Sequence, residues 1–541
     1  MNHEIRNALK YHEATKHSEI SVQLSRHYLD WDNKPLAFKV YTKLPSKAIP
    51  QDFSQPKLDA ITSVSSIKPA KSATTSILDI KKLAEILFFS AGITREMKYP
   101  FGSYYMRAAS ATGALYPIEL YVVCQDIPGL RSGIYHFCPG DFTLTELRIG
   151  DYRAELASAA GDNGNIITSP VTIVFTSFAW RNAWKYQSRS YRHWFWDAGV
   201  IAANLLATSI SNDIHPFLIV GFVDNIVNQL LRLDDKRESS VAMAAIDTMR
   251  SKEPETKVKE IISSSLPIPE VLPLSKKGEI EYPEIWKIHH ASSLHSTQEV
   301  KNWVNNATAF KKRDLNRDVS YSQPIEFEEP SSSTPPPPNL GEVILRRGSS
   351  RRFARTSIFF TQLSNILYSS TRGIPIDFIK EDEDSIVDVY MIVNDVNGLQ
   401  RGSYFFNRST DSLEQLRINV SRDMSGYLCL RQTLFSDASV VFFLMTDLHS
   451  VLKTLGNRGY RASQFEAGII AGKIYLSAYA QGIGASGSTF YDDAVTEFFS
   501  PHAKDKSTMI VVGVGVPSYK ARSGKILAGV LSRNQLLTEA F

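Results

Sequence analysis

Cysteine is scarce in this 541-residue chain. Cys124, Cys138 and Cys429 are the only three, an odd number with no C-x-x-C spacing. A disulfide framework and a zinc ribbon are therefore not expected, and a reducing cytoplasm is the natural compartment. Long apolar runs are missing too: none approaches the ~18 residues of a membrane-spanning helix. The opening MNHEIRNALKYHEATKHSE has no apolar core of a signal peptide. An excess of one charge is also lacking. Lys and Arg number 60 against 56 Asp and Glu, and a net charge of +4 over this length does not describe a nucleic-acid binder. The 12 histidines are dispersed, and the pair His289–His290 has no obvious carboxylate partners, so no metal site is expected.

What the chain does have is length and a repeat. Its size calls for two domains, and a hydrophobic content of 43% can fill two cores. The clearest break is EEPSSSTPPPPNLGE, where four prolines make a semi-rigid spacer. The two flanks of that break resemble each other. SILDIKKLAEILFFSAGI from 76 lies over SIFFTQLSNILYSSTRGI from 357, and IELYVVCQDIPGLRSGIYHF from 118 over VDVYMIVNDVNGLQRGSYFF from 387. YRHWFWDAGVIAANLLA from 191 lies over YRASQFEAGIIAGKIYL from 460, and the last two pairs share one offset of 269 residues. Three blocks in the same order imply two copies of one fold rather than a solenoid. The expected boundaries are a leader at 1–75, a first domain at 76–250, a connection at 251–340 and a second domain at 341–541.

Each copy mixes periods. IELYVV, VTIVFT, VVFFLM and MIVVGVGV read as strands, whereas Ile77, Ile80, Leu83, Ile86 and Leu87 recur at helical spacing. Gly468 and Gly472 stand one turn apart on a helix, as do Gly199 and Ala203. Small residues so placed let two helix backbones approach closely, which would pair the copies as an internal dimer.

Charge is concentrated in one place. RRGSSRRFAR at 346–355 packs five arginines into ten residues. Such a run is most often solvated surface. Gly482, Gly484 and Gly487 spell G-x-G-x-x-G, but a helical pattern precedes them and an extended run follows, so a dinucleotide site is rejected.

RGSSR at 347–351, YYMRAASATGALYPIELY at 104–121 and WKYQSRSYR at 184–192 together resemble the FMN-dependent nitroreductase superfamily, in its branch of SagB/ThcOx-type azoline oxidases. YHEATKHS and LDWDNKPLAFKVY resemble the leader of that branch. The resemblance implies an α+β class: two tandem nitroreductase-like sandwich domains forming an intramolecular pseudo-dimer, with FMN between the halves. It implies a phosphate clamp at Arg347, Ser349 and Arg351, whose guanidiniums and hydroxyl suit a phosphate dianion. It also implies a flavin-facing loop with Arg107, Ser110, Thr112 and Gly113, a backbone contact at Ala485, Ser486 and Gly487, and basic residues Lys520 and Arg522 near the phosphate. The family usually has Ser at the position of Ala111, and here the hydroxyl is one residue earlier.

The copies have diverged in complementary ways. The clamp positions of the first copy fall on Ser66 and Ala70, and the loop of the second falls on the acidic FIKEDEDSI. Only the second copy's clamp and the first copy's loop make a complete site, so one FMN per chain is expected. The branch's catalytic pair falls on Lys185 and Tyr186, against Thr454 and Leu455 in the other copy. A lysine base needs a pKa below its usual ~10.4, which burial and the nearby Arg189 and Arg192 would supply. Asp197 and Glu466 read as structural partners of a buried arginine. The implied activity is oxidation of thiazoline or oxazoline rings in a ribosomal peptide, with a cyclodehydratase as possible partner. The alternatives are a general nitroreductase, quinone or flavin reductase, and a flavin-free scaffold. No nucleic acid or membrane partner is expected, and the pseudo-dimeric monomer is free to dimerise further.

Overall fold

The computed structural model describes residues 2–67, 77–100, 102–247, 266–310, 324–327, 338–380, 385–520 and 522–538. The acids at 381–384, Ala70, most of the proline run and the expected boundaries near 75 and 250 lie outside the described residues.

Two seven-stranded sheets carry the fold, and they have the same strand order. In the first, the order is Ser46–Ala48, Thr143–Ile149, Gly133–Cys138, Ile118–Cys124, Val171–Phe178, Glu238–Asp247, His215–Ile219. In the second it is Ile325–Glu326, Ser412–Ile418, Gly402–Asn407, Asp388–Val393, Val440–Thr446, Ser507–Gly515, Gly484–Ser488. All neighbours pair antiparallel. The class is α+β in two tandem copies, as expected, and the four β-rich runs are all strands. Each sheet also takes its first edge strand from outside the repeat: residues 46–48 come from the leader and 325–326 from the connection.

The helical block at 76 begins later than its periodicity implies. Asp79 accepts the Lys82 N–H at 2.8 Å and caps a helix over Ile80–Ala91, leaving Ile77 outside it and 61% exposed. Leu83, Ile86 and Leu87 face the core.

The central helices, Ser190–Ser211 and Arg458–Ala480, are buried along almost their whole length. They cross where the small residues stand. A Cβ on Gly199 would lie 2.6 Å from the Ile469 nitrogen, and one on Gly468 would lie 2.7 Å from the Trp196 carbonyl oxygen. One on Gly472 would lie 2.7 Å from Ala203 Cβ. Backbone-to-backbone contact at this range excludes any larger side chain.

Reciprocal ion pairs lock the halves together. Arg189 and Arg192 of the first half reach Asp492 of the second at 3.1 and 2.8 Å. Arg458 and Arg461 of the second reach Asp224 of the first at 2.6 and 2.5 Å. All six side chains are buried. These aspartates, not Asp197 and Glu466, are the partners of the buried arginines.

Candidate active site

A cavity of ≈ 1390 Å³ opens between the halves and gathers residues from both. The first half contributes the loop at 110–114, the end of the helix Ala179–Tyr186 and the hairpin of Ile93–Tyr99 with Gly102–Arg107. The second contributes Arg347 to Ser349, Arg351, Tyr475 and the outer edge strand at 486–488. Residues of the N-terminal segment, among them Lys16, His17 and His27, complete the wall. Seven Lys and Arg side chains line the cavity; Lys16 and Arg189 are paired with carboxylates outside the lining, and the other five against the one lining carboxylate, Asp197, favour an anionic ligand.

Arg347 is buried and bridges the halves. Its guanidinium donates to the carbonyls of Ala108 and Arg107, each at 2.9 Å. Ser349 Oγ lies 3.2 Å from the Tyr475 hydroxyl, which also accepts the Gly487 N–H at 2.6 Å. Arg351 is exposed on the cavity wall, its backbone N–H donating to the Tyr519 hydroxyl at 3.0 Å. Ser486 and Gly487 line the cavity, whereas Ala485 is buried behind them, its carbonyl accepting the Ser350 N–H at 2.8 Å. Lys520 and Arg522 are exposed and outside the lining.

The loop of the first half is held from below. Asp197 accepts from the Thr112 N–H at 2.8 Å and the Thr112 hydroxyl at 2.7 Å. With no cation beside it, burial pushes its carboxyl up to about 7. Glu466, its counterpart 269 residues on, does the same for the second half by accepting from Ile386 N–H at 3.0 Å and from the Ser385 hydroxyl. Gly113, Ala114 and Tyr116 all have positive φ, at 64°, 54° and 49°. Two of the three carry side chains, which places strain in the wall of the cavity. Arg107 lines the cavity as well, but its guanidinium donates to the Ala37 carbonyl.

Lys185 and Tyr186 end their helix at the cavity and are half-buried. Lys185 Nζ lies 5.4 Å from the Tyr186 ring centroid, and a Cβ on Gly113 would lie 2.7 Å from the Tyr186 hydroxyl. Burial, then the charge of Arg351 across the cavity, lowers the Lys185 pKa. Arg189 and Arg192 are not among the groups that lower it; both side chains turn to Asp492. The cation that tunes a lysine of the first half thus belongs to the second. Burial and then Asp197 raise the Tyr186 pKa, so its phenol stays protonated.

The pseudo-equivalent position between the halves is closed by the chain itself. Leu218, the counterpart of Gly487, gives its N–H to the Pro375 carbonyl at 2.8 Å. Asp377 takes the next two donors, Val220 and Gly221 N–H, at 3.0 and 2.7 Å. Lys473 stands where the first half has Asn204, and its ammonium donates to the carbonyls of Val64 at 2.8 Å, Gly373 at 2.7 Å and Arg372. Segment 372–377 therefore occupies the space along this edge strand. His289, the histidine expected to lack carboxylate partners, is buried with its Nε2 2.7 Å from the Ser239 hydroxyl. No cluster of three or more His, Cys, Asp or Glu among the described residues could hold a metal. No helix among them is long and apolar enough to cross a membrane.

Residues 388–516, within the second half, match the model of the Nitroreductase family. That half carries a nitroreductase-family domain. A candidate nitroreductase of Methanocaldococcus jannaschii is 25% identical over 161 residues, which are 30% of this chain and 78% of that protein. The crystal structure of a candidate nitroreductase from Anabaena variabilis superposes with a TM-score of 0.72. It covers 94% of this chain and 99% of its own, and at 24% identity the likeness is one of fold. An Escherichia coli microcin synthetase complex with a bound truncated precursor peptide overlaps 45% of this chain and 92% of its own at 17% identity. Its TM-score of 0.29 is too low to carry an argument. The nitroreductase-like fold thus spans both halves.

Arg347, Ser349, Arg351, the loop at 110–113, Lys185 and Tyr186 line this one cavity, whereas nothing in the sequence marks Asp197 as the loop's anchor or Tyr475, Arg95 and His193 as their neighbours. Tyr475 and Arg95 carry no local signal, since their contacts are long-range. Arg95, for example, reaches the carbonyl of Arg346 at 3.0 Å.

Proposed function

We propose that this nitroreductase-like chain is an FMN-dependent oxidoreductase with one flavin site, and that it oxidises azoline rings in a peptide to azoles. The observation that carries the reading is the composite cavity, in which the loop at 110–113 faces Arg347, Ser349 and Arg351 across the halves. The residues fit the group: a strongly cationic wall suits its phosphate, and the outer edge of the strand Gly484–Ser488 presents backbone donors. Arg351 and Ser349 would take the phosphate, Arg347 would hold the loop of the other half in place, and Thr112 and Gly113 would line the ring system. Lys520 and Arg522 are left out of the binding set because they stand outside the lining.

Bound FMN supplies the acceptor for a hydride. The chain supplies the proton acceptor. Uncharged Lys185 would take the proton from the azoline α-carbon while a hydride leaves the adjacent ring carbon (Cβ), so that the Cα–Cβ single bond becomes the double bond of the aromatic azole. Molecular oxygen is the terminal oxidant in this scheme. Tyr186, protonated and adjacent, orients the ring by hydrogen bonding. A lowered Lys185 pKa raises its free-base fraction at neutral pH, which a general base needs.

The family match supports a second reading, reduction of nitroaromatics or quinones with NAD(P)H. The two separate in one assay. A thiazoline-containing peptide incubated with the purified protein and oxygen should lose two mass units. Reduction of a nitroaromatic with no change in the peptide would establish the second reading instead.

A further inference from the structure

The duplication supplies an internal control: a polar residue kept only in the half that faces the open cavity is a candidate for its chemistry. Lys185 and Tyr186 meet that criterion, their counterparts being Thr454 and Leu455. So does His193, seven residues further on in the next helix, whose counterpart is the fully buried Ala462.

His193 is 1% exposed, yet it lines the cavity. Its ring stands edge-on to Tyr186, with centroids 4.5 Å apart, and is tilted against Trp196 at 4.8 Å. Nδ1 is sealed from solvent and meets no hydrogen-bond partner, which leaves Nε2 as the nitrogen that can reach a bound molecule. A buried polar atom without a partner is costly, and such violations collect at functional sites. Packing alone would be served better by the apolar residue the other half uses.

We propose that His193 is a substrate-contacting residue, donating a hydrogen bond from Nε2 to a carbonyl oxygen of the substrate held beside Lys185. The orphaned Nδ1 fits an unprotonated acceptor better than an orphaned donor, which puts the proton on Nε2. Burial, then Arg189 and Arg192, with His17 and Lys185 beyond them, keep the imidazole neutral. A neutral donor here would polarise a carbonyl without titrating in the working range, and it would leave Lys185 as the base. The role as substrate contact rests on the function proposed above.

The test compares His193→Phe, which keeps the ring and removes the donor, with His193→Asn, which restores one. Flavin per chain, the thermal midpoint, and the Kd and KM for a thiazoline-containing peptide and for menadione are measured on each full chain. The expected result for His193→Phe is unchanged flavin content and an unchanged or raised midpoint. Kd and KM should rise at least tenfold, with kcat changed less, and His193→Asn should recover part of the loss. The pH–rate profile of His193→Phe should keep the parent's shape, because no histidine titration is removed. Kd and KM within twofold of the parent would overturn the proposal, as would loss of flavin together with affinity. If menadione alone is turned over, the azoline reading fails while His193 is still judged on menadione. A chain that binds no flavin would fail the proposed function, and His193 would then be judged on Kd alone.

Discussion

The two junctions between the halves begin from the same parts and end differently. In one, the edge strand Gly484–Ser488 faces a ≈ 1390 Å³ cavity and a loop pinned by Asp197. In the other, the edge strand His215–Ile219 is covered by segment 372–377: Pro375 takes its Leu218 N–H, and Asp377 takes the two donors just beyond the strand, Val220 and Gly221. The scaffolding is conserved across both junctions: each has a carboxylate on the central helix and an arginine pair reaching an aspartate of the opposite half. The chemistry is not. Lysine, tyrosine and histidine stand at one, and threonine, leucine and alanine at the other. Duplication has here separated the residues that build the fold from those that serve the site.

The sharpest way to break this contrast is to remove the cations of the open junction. Arg351→Ala deletes the charge-assisted phosphate contact, worth about 1.5–3 kcal/mol, and Arg347→Ala releases the loop that its guanidinium holds through the Ala108 and Arg107 carbonyls. Flavin per chain, read by absorbance, should fall well below the parent's, as the lost phosphate contact alone implies at least about tenfold in affinity.

Next is the base. Lys185→Ala should keep its flavin while turnover falls about 10²–10⁴-fold. In the parent, the rate should rise with pH through an apparent pKa below that of an ordinary lysine. Arg351→Gln removes a positive charge that disfavours the ammonium, so it should move that pKa upward. Loss of flavin in Lys185→Ala would reassign the residue to binding.

The locks come third. Asp492→Asn leaves Arg189 and Arg192 buried without their counter-charge and should cost about 3–5 kcal/mol in denaturant unfolding. Burial would raise the Asp492 carboxyl, but Arg189 and Arg192 outweigh it and hold the pKa well below the usual range. Its folded pKa is therefore depressed: the stability it gives is complete above the unfolded value near ~4 and is lost progressively as pH falls from there toward the depressed folded value. The Asn variant should lack that acid-side loss.

The smallest effect concerns a turn. Gln187 adopts φ 49°, ψ −139° just after Tyr186, whereas its counterpart Gly456 adopts φ 65°, ψ −162°. Strain of this kind costs about 1–3 kcal/mol, partly offset by the entropy that glycine adds to the unfolded chain. Gln187→Gly should raise stability by about 1 kcal/mol, seen as a higher thermal midpoint. No gain would mean that the neighbouring contacts compensate.

Much of this contrast was legible in the chain. The repeat predicted two copies, and Gly199, Gly468 and Gly472 marked the helix crossing because only tiny residues tolerate backbone contact. The arginine run and WKYQSRSYR fell on one cavity. What was hidden is what depends on long-range placement. Asp197 and Glu466 look like ion-pair partners until the structure shows loops above them. Arg189 and Arg192 are near Lys185 in sequence, yet their charge is spent on an aspartate some 300 residues away. Segment 372–377 has no composition that marks it as a plug.

The flavin content of the purified chain separates one open junction from two. Absorbance of released FMN against chain concentration, after reconstitution with excess FMN and desalting, should give one per chain. A value of two would contradict the claim that the junction closed by Pro375, Asp377 and Lys473 holds no cofactor.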